Sequence, residues 1–126
     1  ILQRAREQTT VEAIADKYSS PCYSLDFATM LEPLVDADIG HGLLHLCNSG
    51  VCSWRDYGQV GLEIAVELGM EFKAQKVGAI SLADMKNFSA PRPVHTSLST
   101  QRYTGLTGRA PRPWQEAVRA YLEGQL

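Results

Sequence analysis

The chain has 126 residues, of which 44% are hydrophobic, and its formal net charge at pH 7 is −2. This length suits one domain with a modest core, or part of one, and the near-neutral charge offers no basic surface for the phosphate backbone of a nucleic acid. No apolar run approaches the roughly 20 residues that a membrane-spanning helix needs, so we expect neither nucleic acid nor membrane as a partner.

The first predicted elements are a short amphipathic helix and then a half-buried strand over Thr10–Asp16, where apolar and polar residues alternate. Pro21 predicts a loop, because proline fixes its own φ and drives the preceding residue out of the helical region. A helix follows from Ser24, with apolar residues at helical spacing as far as Val35 in spite of Pro33. Lacking an initiator methionine, the chain is expected to begin within a longer protein.

The middle of the chain starts with a turn bracketed by Gly40 and Gly42. The continuous apolar run Leu43–Cys47 is typical of a central strand that is buried on both faces. Ser53 is followed three residues later by an acidic residue, which is the pattern of a capping box, so a helix should begin at Trp54. Its apolar stripe and the glycine after its end make it the best supported helix of the chain.

Short elements and loops alternate in the remainder. Phe72–Ile80 is predicted as a strand, and a short capped turn of helix follows it. Ser89–Thr100 carries two prolines and is expected to be an extended surface loop, before a short helix that ends at Gly105. A last amphipathic helix includes Trp114. The pattern therefore predicts an α/β fold, in which a few short strands pack with helices and a large parallel sheet is absent.

Four stretches, in order along nearly the whole chain, resemble motifs of one family. DKYSSPCY at Asp16–Tyr23 is similar to D-x-x-G-S-P-T-Y. GLLHLCNSGVCSW at Gly42–Trp54 is similar to G-x-Y-H-x-x-N-x-G-x-x-S-W and is the most specific of the four. An R-P motif with a nearby S-x-L is matched at 92–98, and a closing P-x-W-x-x-A-L helix is matched at 111–118. By these motifs the chain resembles the C-terminal, substrate-binding part of the dTDP-4-dehydrorhamnose reductases, which are extended short-chain dehydrogenases.

The resemblance implies that residues 1–126 form one substrate-binding domain of a longer reductase that converts dTDP-4-dehydro-L-rhamnose to dTDP-L-rhamnose. An N-terminal Rossmann half would hold NADPH or NADH together with the catalytic Tyr-x-x-x-Lys pair. The implied partners are therefore the dTDP-sugar and that Rossmann half, and a homodimer is left open. This part alone should be inactive, because the hydride belongs to the cofactor.

The sequence contains neither the catalytic Tyr-x-x-x-Lys pair nor the glycine fingerprint of a nicotinamide site. None of the five tyrosines is followed four positions later by lysine. Gly58 and Gly61 lie in a predicted helix rather than in a turn between a strand and a helix, so they form no pyrophosphate-binding fingerprint. We expect these glycines to let the helix pack closely on the sheet.

Four residues are candidates for substrate binding. Arg92 is a candidate pyrophosphate clamp, because its guanidinium is a planar fork that matches phosphate oxygens, and a solvated surface arginine is the alternative. Ser20 and Cys22 lie in the loop that resembles the family's substrate-side turn, although ordinary turn chemistry would also explain them. Trp54 could stack on a base or a sugar, but the first turn of an amphipathic helix favours a core anchor, as for Trp114.

The chain departs from the family motifs at several positions. Ser19 replaces a glycine, Cys22 a threonine and Leu44 a tyrosine, and His95 and Thr96 replace the usual polar pair. These departures leave open a reductase or epimerase of another nucleotide sugar. They also leave open a non-catalytic binding or regulatory homologue, such as the regulatory subunit of methionine adenosyltransferase.

Zinc binding is the rival hypothesis for His41, His45, Cys47 and Cys52. On a strand, His45 and Cys47 would be about 6–7 Å apart along one face, too far to converge on one tetrahedral ion, so we expect no metal site. An odd number of cysteines without dense spacing argues against a disulfide framework and favours a reducing compartment, with the cytoplasm as the default. The sequence also lacks the G-x-S-x-G elbow of serine hydrolases.

Overall fold

The computed structural model describes residues 1–35, 38, 42–86 and 88–125. The helices are α1 Leu2–Glu7, α2 Ser24–Val35, α3 Trp54–Glu67, α4 Gln101–Thr107 and α5 Trp114–Glu123. The strands are β1 Val11–Ile14, β2 Tyr18–Ser19, β3 Cys52–Ser53, β4 Val77–Ile80 and β5 His95–Thr96, and a 3-10 helix spans Leu82–Asp84. The predicted α/β class, with short strands packed by helices, is confirmed.

The described strands form two small sheets. In the first, β1 pairs in parallel with β4, in a register that runs from Val11 opposite Val77 to Ile14 opposite Ile80. The second has the order β3-β2-β5, with β2 antiparallel to β3 and parallel to β5. Parallel neighbours require a crossover connection, and α2 and α3 both lie between β1 and β4 in the sequence.

Helix α3 begins and ends where its sequence dictates. The Ser53 hydroxyl oxygen accepts a hydrogen bond from the Asp56 N–H at 3.0 Å and donates one to the Asp56 carboxylate at 2.8 Å. The predicted start at Trp54 is therefore confirmed, although Asp56 binds the Ser53 hydroxyl rather than its N–H. Beyond the other end, Gly69 has a φ of +87°, and the Met70 N–H donates to the Ala65 carbonyl, as in a glycine-terminated helix.

Two apolar clusters meet on α3. Leu62, which is 1% exposed, packs with residues of α1, β1 and β4. Ile64 and Ala65 pack instead with Trp114, Val118 and other buried residues of β3 and α5. Burying one such leucine stabilises the fold by about 1.5–3 kcal/mol. Because α3 contributes buried residues to both clusters, it holds the first sheet and the C-terminal helix together.

Gly58 and Gly61 do not serve the packing of α3 on the sheet, and that expectation is wrong. A Cβ at Gly58 would lie 3.1 Å from the Ile1 Cγ1 atom, and one at Gly61 would lie 3.9 Å from the Val118 Cγ1 atom. Gly58 therefore allows the Ile1 side chain to approach the helix closely, whereas a side-chain carbon at Gly61 would make an ordinary contact with Val118. The sheet contacts a different face of α3, which Leu62 occupies.

The predicted strand Leu43–Cys47 is also wrong for this structure. The segment lies outside both sheets, and the Leu43 side chain is 73% exposed. The Leu43 carbonyl accepts a hydrogen bond from the Arg102 guanidinium at 2.7 Å. None of the described strands runs beside the segment, and an apolar run cannot become a strand without a neighbour. The turn predicted before it involves Gly40, which is outside the described residues.

The strand predicted over Phe72–Ile80 begins only at Val77. The N–H groups of Lys73 and Ala74 both donate to the Ala5 carbonyl, at 2.9 and 3.1 Å, so this stretch closes over the end of α1 instead of extending the sheet. Local alternation of side chains could not reveal that long-range contact.

Two C-terminal boundaries differ from prediction as well. Helix α4 continues through Gly105 to Thr107, and the next residue, Gly108, has a φ of +67°, the left-handed conformation common just after helix ends. The loop predicted over Ser89–Thr100 contains β5, because β2 offers it a parallel partner.

Two glycine substitutions should have opposite effects on stability. At Gly50 the φ is +95°, and an added Cβ would lie 2.9 Å from the Cδ1 atom of the buried Trp114 ring. Gly50→Ala should lower the free energy of unfolding by at least about 1 kcal/mol, since positive φ alone costs a non-glycine residue of order 1–3 kcal/mol. Gly105→Ala is the control and should raise it by up to about 1 kcal/mol through helix propensity. Urea denaturation of both variants measures the free energy of unfolding. Equal changes in the two variants would contradict the different roles given to Gly50 and Gly105.

Candidate functional site

The candidate site lies where the loop after β2 meets the start of α3. A cavity of about 270 Å³, which we call the Trp54 cavity, is lined by Ser19, Pro21, Cys22, Cys52, Trp54 and Tyr57. Two of the four predicted binding residues, Cys22 and Trp54, therefore share one cavity. The fold brings together a loop and a helix end that are about 30 positions apart in the sequence.

Trp54 is not the core anchor that its position in the helix suggested. Its side chain is 43% exposed, whereas Trp114 is 4% exposed and does belong to the core. Trp54 lies at the first turn of α3, before Leu62 and the other residues of that helix that reach the two apolar clusters. An exposed indole on a cavity wall is a suitable surface for stacking on a flat ligand.

Lys17 is a residue of the site that the sequence did not single out. It is only 8% exposed, and its ammonium group donates to the Pro93 carbonyl at 3.1 Å and to the Thr96 hydroxyl at 3.4 Å. The same nitrogen lies 6.0 Å from the centroid of the Trp54 ring, at the limit of a cation–π contact. Lys17 thus connects Trp54 to the loop that contains Arg92, across 76 positions of sequence.

Ser20 has a positioning contact rather than a place on the cavity wall. Its hydroxyl oxygen accepts a hydrogen bond from the Leu98 N–H at 3.0 Å. Together with the pairing of β2 with β5, this bond fixes the loop after β5 beside the loop that carries Cys22. Ser20 does not line the Trp54 cavity.

Arg92 lines a different cavity, of about 520 Å³, which we call the Arg92 cavity. Its guanidinium carbon lies 5.2 Å from the centroid of the Phe88 ring, and the side chain donates no hydrogen bond to any protein atom in the described part of the chain. Asp16 lines the same cavity, but its carboxylate accepts hydrogen bonds from the Ser81 hydroxyl and the Leu82 N–H, each at 2.6 Å. These bonds lower the pKa of Asp16, so this carboxylate is ionised and already engaged.

A partly buried polar cluster, made of Asp26, Asn48 and Arg112, contacts the loop that carries Cys22. Asn48 is 1% exposed; its Oδ1 accepts from the Tyr23 N–H at 2.8 Å, and its Nδ2 donates to Asp26 at 2.5 Å. Arg112 donates to both oxygens of the same carboxylate, at 2.9 and 2.5 Å, and this pairing raises the pKa of Arg112. In the sequence, Asn48 stands out only as part of a motif, because its partners lie 22 and 64 positions away.

Removing the charge of Asp26 should destabilise the protein far more than removing that of a surface acid. The Asp26 side chain is 17% exposed and Asn48 and Arg112 both depend on it, whereas Glu67, paired with Arg119, is 60% exposed. Asp26→Asn should cost about 1.5–3 kcal/mol, the range for hydrogen bonds to charged groups. Glu67→Gln, the control, should cost less than about 1 kcal/mol. Thermal and urea unfolding of both variants would disagree with this assignment if the two losses were equal.

The three cysteines of the chain are free thiols in different environments. Cys22 is exposed and Cys47 and Cys52 are buried. Burial raises the pKa of Cys52 to about 11, and burial, followed by the charge of Cys47, raises the pKa of Cys22. All three groups are therefore thiols at neutral pH, and only Cys22 is open to solvent.

A thiol reagent should label Cys22 first. Because the thiolate is the nucleophile and its fraction grows with pH, the labelling rate of Cys22 should rise about tenfold per pH unit from 7 to 9. Mass spectrometry after brief treatment with iodoacetamide should find one label, which Cys22→Ser abolishes. Fast labelling of Cys52 in the folded protein would show that the second wall of the Trp54 cavity is open.

The described residues contain no metal-binding group, and the paired glycines of α3 form no phosphate-binding turn. No group of three or more His, Cys, Asp or Glu side chains there could hold a metal ion, and His41 of the zinc hypothesis lies outside those residues. The paired glycines, Gly58 and Gly61, are buried within α3 against Ile1 and Val118, so they make no turn that could approach a pyrophosphate. None of the described helices is long and apolar enough to span a bilayer.

Comparison with known proteins gives one family over the whole length. The family model described as the RmlD substrate binding domain matches residues 1–126. The chain is 35% identical over 109 residues to the dTDP-4-dehydrorhamnose reductase of Mycolicibacterium smegmatis, covering 86% of this chain and 31% of that protein. It is 30% identical over 123 residues to the spore coat polysaccharide biosynthesis protein SpsK of Bacillus subtilis, covering 98% of this chain and 40% of that protein. The chain thus spans well under half the length of these relatives.

The fold also has solved counterparts. The crystal structure of a dTDP-4-dehydrorhamnose reductase from Bacillus anthracis, in complex with NADP, superposes with a TM-score of 0.78 at 23% sequence identity. The match covers 97% of this chain and 41% of that one. At this identity the likeness concerns the fold.

Proposed function

The chain belongs to the family of RmlD substrate binding domains, and we propose from this that it is the nucleotide-sugar-binding domain of a dTDP-4-dehydrorhamnose reductase. The reaction would reduce dTDP-4-dehydro-L-rhamnose to dTDP-L-rhamnose with NADPH or NADH. Residues 1–126 would form one domain of that enzyme, in the cytoplasm, where free thiols are the rule.

Arg92 carries the proposal on the structural side. Its guanidinium lies against the Phe88 ring at the wall of the Arg92 cavity, with its hydrogen-bond donors unused by the described protein. Such a planar fork suits two oxygens of a pyrophosphate. The nearby carboxylate of Asp16 accepts hydrogen bonds from Ser81 and Leu82 and forms no ion pair with Arg92, so it leaves the guanidinium available to a ligand. Arg92 is therefore assigned to the pyrophosphate of the dTDP-sugar.

The Trp54 cavity is assigned to the flat or apolar parts of the same ligand. Trp54 and Tyr57 supply aromatic surface, and Cys22 supplies a small side chain at the loop. Lys17 donates to the carbonyl of Pro93, the residue after Arg92, and its ammonium group lies near the Trp54 ring. It therefore contacts both the loop that carries Arg92 and a wall of the Trp54 cavity. Ser20 positions the loop through Leu98.

The cofactor and the catalytic pair belong, in this proposal, to a Rossmann half outside these residues. NADPH would supply the hydride there, while this domain binds and orients the sugar. The 126 residues alone would catalyse nothing, since none of their tyrosines is followed four positions later by the lysine of the catalytic pair.

Another nucleotide sugar, or binding without catalysis, is the alternative. It is favoured by the departures from the family motifs, above all Cys22 in place of threonine and Leu44 in place of tyrosine. Reduction of the 4-keto sugar by the full-length protein separates these functions, because a regulatory homologue would bind without consuming NADPH.

The proposal predicts the effect of Arg92→Ala on dTDP binding. In a full-length protein that contains this chain, calorimetric titration with dTDP should give a dissociation constant at least tenfold higher for the variant, a loss of about 1.4 kcal/mol. Arg109→Ala, which removes an exposed arginine that lines neither cavity, should leave the constant unchanged.

Three results of these experiments would lead to different conclusions about the proposed function. Absence of dTDP binding to the full-length protein would contradict the proposal as a whole. Equal losses for Arg92→Ala and Arg109→Ala would mean that positive charge in general, rather than the clamp, is responsible. Binding without NADPH consumption on addition of the 4-keto sugar would favour the regulatory homologue.

A further inference from the structure

Lys17 carries a buried positive charge that has no acidic partner within the described part of the chain. The residue is 8% exposed, and the ion pairs of the described residues are all formed by arginines. Its ammonium group donates to two uncharged acceptors, the Pro93 carbonyl at 3.1 Å and the Thr96 hydroxyl at 3.4 Å. A charge that is removed from water and left without a partner of opposite sign costs free energy, which is why buried lysines are usually paired.

The ammonium group lies behind one wall of the Arg92 cavity. That cavity is lined by Arg92 and Val94, and the carbonyl that Lys17 binds belongs to Pro93, which stands between them in the chain. The residue before Lys17, Asp16, lines the same cavity. Lys17 itself does not line it, so its charge would act on a ligand there across the wall, without a direct contact.

Without Lys17, the charges of the cavity wall cancel. Among the described residues that line the Arg92 cavity, Asp16 carries a negative charge and Arg92 a positive one, and the nearby Asp84 does not line it. The Asp16 carboxylate is ionised, because the hydrogen bonds that it accepts lower its pKa. With Lys17 included, two cations stand against one anion, so the region gains a net positive charge. Charges near a protein surface interact over several ångströms, so this charge favours an anionic ligand.

We propose that Lys17 sets the affinity of the Arg92 cavity for a phosphate group of high negative charge, by supplying the positive charge that the cavity wall lacks. The inference rests on the proposed function, since it takes the pyrophosphate of a nucleotide as the ligand of Arg92. The bound anion would in turn provide the opposite charge that Lys17 lacks among the described residues.

This role predicts that binding and stability respond differently to one substitution. Methionine has nearly the length of lysine but no charge, and replacing a buried charge by an apolar side chain of similar volume is often neutral or stabilising. The carbonyl that loses its donor belongs to Pro93, an exposed residue, so water replaces the ammonium group there. The melting temperature of Lys17→Met should therefore equal or exceed that of the unchanged protein, although binding is weakened.

Calorimetric titration of the full-length protein with dTDP and with dTMP, together with thermal unfolding, tests the proposal. Lys17→Met should weaken dTDP binding at least about tenfold and dTMP binding about threefold or less, because dTMP brings fewer negative charges to the cavity. Lys76→Met is the matched control. It removes the charge of an exposed lysine that lines neither cavity, and it should leave both dissociation constants unchanged.

The proposal is wrong if Lys17→Met weakens dTDP and dTMP equally and lowers the melting temperature, because Lys17 would then be a structural support of the loop. It is also wrong if Lys17→Met and Lys76→Met weaken binding equally, since the overall charge would then be the cause. Unchanged dTDP binding in Lys17→Met would overturn this inference alone. Absence of dTDP binding by the unchanged protein would overturn the proposed function with it, so the two failures are distinguishable.

Discussion

The carboxylate of Asp26 holds together the three chain segments that surround the Cys22 loop. It binds Arg112 through two hydrogen bonds and Asn48 through a third, and Asn48 in turn accepts from the Tyr23 N–H. One small ionic cluster thus joins the start of α2, the segment that leads to β3, and the residues before α5. The Cys22 loop lies beside this cluster, which holds it through the Tyr23 N–H.

Helix α3 contacts most of the other elements of the fold and contributes to both apolar clusters. Its apolar faces contact the β1–β4 sheet and α5, and Gly58 lets Ile1 approach its backbone. Its first turn carries Trp54 on a cavity wall while its middle turns are buried. An exposed aromatic residue at the start of a helix whose middle turns are packed on both sides is a suitable stacking surface, because a regular element positions its ring more precisely than a loop would.

The family resemblance that was drawn from four short motifs is confirmed by the match over residues 1–126, and the shared fold is confirmed by the reductase structure. The motif positions have unequal roles. Asn48 and Ser53 support the fold directly, by hydrogen bonds to Tyr23 and Asp56. Arg92 lies against the Phe88 ring and donates no hydrogen bond to a described protein atom, which supports the ligand-binding role proposed for it. A motif residue that forms few hydrogen bonds within the fold is the stronger candidate for ligand binding.

The sequence by itself determined the local features: the cap at Ser53, the start of α3, the buried Trp114 and the α/β class. Each of these depends on neighbours within a few positions or on simple periodicity. Only the tertiary structure decided that Lys17 lies between Trp54 and Pro93, that Asp26 pairs with Arg112 across 86 positions, and that Trp54 stays exposed. It also decided that Leu43–Cys47 has no strand beside it here, because a strand is defined by its hydrogen-bonding neighbour, and no local pattern contains that neighbour.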